Sequence, residues 1–308
     1  MARPLYKAIG EEIINEMMLA GFTVIFLTIG INYFNLKYAW VNIINTIAQA
    51  SGMDVTLVAS EISLMLATIE STFPLNYLFG SQQSIIFGLV LGLFLTILGF
   101  YFKITTTPSR EKLIKDLGRE FSVPAFIGLF TIIAMQAITA IFVQGHFAST
   151  PSGIDPSRHF VTGVLIWNTY GKLLVVGLSA LAIGSVTLVI ANARRHDIGK
   201  LVGRTIVYGS YIAIAWYGFI RLLALRIFLD SEFGPFLRTF ILSGDVSLEF
   251  LIFCIFGFTF GVSLSRYGST LMKRKLVQMR RELHEKAIRE GRMPVVGIRH
   301  LRRHRKRR

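Results

Sequence analysis

The sequence is short of charge. Of its 308 residues only 17% are charged, against 53% hydrophobic, and the mean hydropathy is +0.56. A water-soluble chain of this length carries about 25% charged residues. The shortfall points to a chain dissolved in lipid. Cysteine is nearly absent too: Cys254 stands alone inside an apolar run, which excludes an intrachain disulfide. Catalytic motifs are missing as well. There is no H-E-x-x-H, no phosphate-binding glycine loop and no G-x-S-x-G. The paired Glu11 and Glu12 fall in a polar stretch ahead of the first oily run. His146, His159 and Asp155 share one connection, where unliganded histidines are the ordinary case. The expectation is no enzyme, no catalytic residue, no cofactor and no metal.

What the chain has in plenty is long oily runs. A hydrocarbon core of about 30 Å needs about 20 consecutive apolar helical residues. Six segments qualify: 17–36, 83–102, 122–143, 172–193, 205–229 and 247–265. The fold class is therefore all-α, a polytopic integral membrane protein with about six transmembrane helices. Residues 1–265 form the transmembrane domain and 266–308 a basic helix and tail.

Lysine and arginine in the connections set the orientation. The start (Arg3, Lys7) and the 103–121 and 194–204 connections hold 11 of them. The alternate connections, 37–82, 144–160 and 230–246, hold three: Lys37, Arg158 and Arg238. Both termini are expected in the cytoplasm and the protein in the cell membrane. The net charge of +15 belongs mostly to residues 266–308, where 16 basic residues face three acids; the rest of the chain carries about +2.

Several connections have structure of their own. Within 37–82, Trp40, Ile43, Ile44 and Ile47 share a helical face, and Val58, Ile62, Met65 and Ile69 repeat behind Asp54, a candidate N-cap. This external amphipathic segment either lies on the membrane or dips into it. In 108–121, Ser109 can cap a short surface helix with a stripe of Leu113, Ile114, Leu117 and Phe121. Gly88 with Gly92, and Gly257 with Gly261, form G-x-x-x-G pairs that let helices approach closely. They favour tight helix packing or oligomerisation, with other membrane subunits or a second copy as the expected partners.

The fifth run holds two arginines. At 1.5 Å per residue from Thr205, Arg221 lies roughly 24 Å along it and Arg226 roughly 31 Å. Lys172 and Glu249 reach a similar level at the outer ends of their own spans. Arg226 can snorkel to headgroups. For Arg221 three readings stand: snorkelling, an ion pair with Glu249, or a water-filled outer vestibule shared with Lys172 and Glu249. On the other side, Lys112, Lys115, Arg119, Arg194 and Arg195 are candidate docking points for a cytoplasmic ATPase. The terminal block Arg302, Arg303, Arg305, Lys306, Arg307 and Arg308 suits anionic lipid, nucleic acid or an acidic protein.

Two functions follow. The first is a channel or translocation subunit of a larger machine, moving a solute or macromolecule (DNA included) with a partner's energy. The second is a membrane scaffold or biogenesis factor that recruits a ribosome, nucleic acid or protein through its basic tail.

Overall fold

The computed structural model describes residues 16–30, 45, 48, 54–72, 82–107, 109–149, 163–225, 233–244 and 248–290. They form helices α1 (Glu16–Gly30), α2 (Val55–Thr72), α3 (Gln82–Thr106), α4 (Arg110–Ser149), α5 (Gly163–Ala193), α6 (Asp197–Leu223), α7 (Gly234–Ser243) and α8 (Leu248–Arg289). Among the described residues there is no strand, and α3, α4, α5, α6 and α8 are long and apolar enough to cross a membrane. That pattern fits an α-helical membrane protein. On the first expected span, 17–36, the described residues form α1, a shorter apolar helix; residues 31–36 lie outside the described part.

The helices run past the ends of the oily stretches. The 108–121 segment is not a separate surface helix: it is the start of α4, which continues through Pro124 into the apolar stretch. Its Leu113–Phe121 stripe turns inward, and the Phe121 ring meets Phe22 at 5.1 Å and Phe260 at 5.8 Å. Likewise α8 is one helix of 42 residues that carries the sixth oily run directly into the basic segment. In contrast, α6 starts earlier and stops sooner than its oily run. His196 caps its start, its Nδ1 accepting from Gly199 N at 3.1 Å, and Ala224 closes its end. Between α5 and α6 the chain turns on Arg195 at φ 53°, a left-handed conformation that usually falls to glycine.

Small residues decide which helices pair. A Cβ on Gly92 of α3 would sit 2.6 Å from Ile25 Cγ1 of α1, and one on Gly99 would sit 2.5 Å from Met18 N. The backbones of α1 and α3 therefore touch, as G-x-x-x-G spacing predicts for Gly88 and Gly92. On α8 only half of the expected motif works this way. Gly261 meets Ser122 N of α4 at 2.6 Å, whereas Gly257 has ordinary room beside Ala125 at 3.5 Å. Gly118 and Gly268 extend the close seam, making α4–α8 the most extensive pair, with the α5–α6 hairpin next.

The core joins these pairs. Phe26, Ile132, Tyr170, Ile220, Ile241, Phe250 and Cys254 pack in one buried cluster drawn from α1, α4, α5, α6, α7 and α8. The share of α7 is unexpected for a stretch read as a plain connection. Thr239, Phe240 and Ile241 are buried, and the Tyr170 hydroxyl donates to the Ile241 carbonyl at 2.9 Å. A side chain at Gly244 would collide with that hydroxyl. Apolar surface also remains outside the core: Phe87, Phe94 and Ile97 on α3, and Ile183, Val186 and Val189 on α5, are exposed. Lipid or neighbouring subunits would cover such faces.

Candidate functional site

Polar groups concentrate at the two ends of the bundle. One end gathers the C-termini of α3 and α5, the starts of α4 and α6, and the basic half of α8, because ion pairs join these elements there. We call it the basic end.

Lys103, at the close of α3, turns inward and its Nζ contacts Glu120 Oε1 on α4. Both side chains are buried, at 6% and 11% exposure. The second oxygen, Glu120 Oε2, is also buried and has no hydrogen-bond partner among the described residues. A buried pair of this kind gains Coulomb energy but loses hydration, so it contributes registry more than net stability. Here the registry is that of the α3–α4 hairpin. Sequence reasoning missed the pair because both residues fall in 103–121, read as a connection, where Lys103 was counted only toward orientation. A lysine closing one oily run and a glutamate just before the next was the available signal.

Two further pairs hold α8. Arg274 Nη1 donates to Asp197 Oδ2 at 2.8 Å, at the first turn of α6. Its neighbour Lys275 donates to Glu111 Oε2 at 3.2 Å, at the first turn of α4. Each acid also faces the partial positive charge of its own helix start. Adjacent residues on α8 thus reach two different helices, in exposed pairs that add to a rotation already set by the close α4–α8 approach at Gly118, Gly261 and Gly268. Beyond Lys275 the helix continues past both contacts to Arg289, with Leu276, Val277, Met279 and Leu283 exposed. A shallow groove of about 400 Å³ runs along Lys273, Arg274, Val277 and Arg281.

The expected docking residues Lys112, Lys115 and Arg119 are exposed on the first turns of α4, and Arg194 and Arg195 are exposed in the α5–α6 turn. All five therefore stand at the basic end, open to a partner. The tail block Arg302, Arg303, Arg305, Lys306, Arg307 and Arg308 lies outside the described residues.

At the far end the charges are apart. Arg221 sits in the last turn of α6, Glu249 in the first turn of α8 and Lys172 on α5; all three are exposed. Among the described residues none of them forms an ion pair with another. Their helix positions still suit their signs, since a cation closes α6 and an anion opens α8. Beside Arg221 a shallow groove of about 520 Å³ is lined by Tyr217, Gly218, Phe219 and Leu222. Arg226 lies outside the described residues. Trp216 Nε1, near the same level, is buried with no hydrogen-bond partner among the described residues.

Among the described residues no cluster of three or more His, Cys, Asp or Glu side chains is placed to hold a metal ion. Compared with family models, with curated proteins and with solved structures, the chain matches none of them.

Proposed function

We propose that the chain is a multi-pass subunit of a larger assembly that moves a solute or macromolecule across the cell membrane. In this reading α1 belongs to the first of six spans, both termini face the cytoplasm, and the basic end is the cytoplasmic mouth. Energy comes from a partner, an ATPase docking at that mouth, and DNA is among the cargoes that a basic mouth suits. The observation that carries the reading is the course of α8. It runs unbroken from core residues Phe250 and Cys254, past the contacts with Asp197 and Glu111, to an exposed basic segment. A partner engaging that segment acts on the core through one continuous helix. The wide apolar faces of α3 and α5 support neighbouring membrane subunits in the same assembly or a second copy of the chain.

The second reading is a membrane scaffold that recruits a ribosome, nucleic acid or protein. What favours it is the concentration of 16 basic residues against three acids in 266–308. Purification in mild detergent separates the two. Translocation expects an ATPase in stoichiometric amount; a co-purifying ribosome selects the scaffold, and neither partner at physiological salt sinks both. Severity in cells gives a second test. Deleting 292–308 should harm a scaffold more than R221L does, and a translocation subunit less.

A further inference from the structure

Along the second half of α8 runs an apolar face that the described residues leave largely uncovered. Met272, Leu276, Met279 and Leu283 follow one another at spacings of four, three and four, the seam of a helix that packs against another helix. Leu276 is 52% exposed, Met279 43% and Leu283 66%. These residues stand beyond the last oily stretch, in a segment with eight basic residues from Arg266 to Arg289, so lipid tails are not their natural cover.

The stripe of Gly261, Ser265 and Gly268 that packs on α4 aims this seam. At about 100° per residue, Met272, Leu276, Met279 and Leu283 lie within roughly 30° of that stripe and roughly 120° from the midpoint between Arg274 and Lys275. The seam therefore continues the α4-facing side of α8 past the start of α4 at Arg110. The same contacts hold the segment as a straight continuation of a spanning helix. Residues 276–289 then extend about 21 Å beyond the pairs.

Charge narrows the occupant. Lys273 and Arg280 flank the seam on one side and Lys286 on the other, all exposed. Of the acids, Glu290 nearest the seam already lies 3.9 Å from Lys286, Glu282 stands about 90° from the seam, as far as Lys273 does, and Glu285 falls toward the back of the helix. We propose that this seam docks an acidic amphipathic helix of a partner protein, with apolar residues at matching spacing and Asp or Glu beside them. A second copy of the chain fits poorly, because residues 266–289 carry eight basic residues against two acids, Glu282 and Glu285, so two such segments repel. Phosphate backbones would use the charges and leave Leu276 and Leu283 without a role. A membrane surface would need the segment to fold down, against both ion pairs. The proposal rests on reading α8 as the docking arm of the proposed assembly, and it supplies the chemistry of the partner.

The test uses the full chain in phosphatidylcholine nanodiscs. The probe is a fluorescent peptide of about three heptads with leucine at the seam positions and glutamate at the flanks. Its twin carries lysine at the flanks. The acidic peptide should bind at least about ten-fold more tightly than the basic twin, and L276Q/L283Q should weaken it by about ten-fold. V277Q, on a different face of the same helix, should leave binding unchanged, and a monodisperse elution profile shows that each variant is folded. Equal binding of both peptides, or undiminished binding to L276Q/L283Q, overturns the proposal. So does stronger binding of duplex RNA or phosphatidylserine vesicles than of the acidic peptide. A dimer that L276Q/L283Q converts to a monomer overturns it in favour of self-association. Nanodiscs expose both faces, so an inverted topology or a missing ATPase would overturn the functional reading and leave this result intact.

Discussion

At the basic end, Lys103 meets Glu120 inside the protein while Arg274 and Lys275 reach across to Asp197 and Glu111. At the far end, Tyr170 holds Ile241 through a neutral hydrogen bond, and Arg221, Lys172 and Glu249 stay exposed and apart. The helices cross both ends, yet the basic end adds charge pairs to the close backbone approaches at Gly99, Gly118 and Gly268, while the far end has a neutral hydrogen bond. A partner at the basic end therefore meets side chains already paired across helices, whereas Arg221, Lys172 and Glu249 have no ion-pair partner among the described residues.

The contrast can be broken most severely at its buried pair. E120A removes the carboxylate in contact with buried Lys103 and leaves it only the charges of Asp116 and Glu16, so unfolding in detergent should show a loss of at most about 3–5 kcal/mol. The double replacement K103M/E120M should recover most of that loss, because the two desolvated charges go together. If E120A unfolds like the wild type, the basic end is not held by charge. A smaller effect belongs to the far end. Y170F removes the donor to the Ile241 carbonyl but keeps the ring in place, and should cost about 1–3 kcal/mol by the same assay. The smallest is R221L. With an exposed side chain and no ion-pair partner among the described residues, its unfolding midpoint should match that of the wild type. Transport assays on the same variant then carry the information: unchanged transport removes the vestibule reading of Arg221, and lost transport with an intact fold supports it.

The sequence made some of this legible and hid the rest for physical reasons. Oily runs located the five helices that, among the described residues, are long and apolar enough to span a membrane. Asp54 announced the start of α2, where Thr56 N donates to its Oδ1 at 3.0 Å. The pair Gly88 and Gly92 announced the approach of α1, because only glycine allows backbones so close. Helix ends were harder. Hydropathy marks where lipid begins and ends, but hydrogen bonding continues along the chain, so α4, α6 and α8 pass those marks. The same error concealed Lys103 and Glu120, which looked like connection charges until the helices carrying them extended and faced each other. Arg221, expected partway along its oily run, stands in the last turn of α6 because that helix ends before the run does. The buried helix α7 left only a faint trace in Phe236, Thr239 and Phe240, three apolar or small residues at helical spacing in a short connection.

Cys254 lies fully buried in the core, packed so close to α4 that a side chain on Gly128 would sit 2.9 Å from its sulfur. A thiol enclosed in apolar surroundings is inert toward alkylating reagents. The native chain is therefore already a silent background for thiol-selective labels. A cysteine introduced at an exposed position of either end would carry a spin or fluorescent probe alone, and distances between the ends could be followed without first redesigning the core.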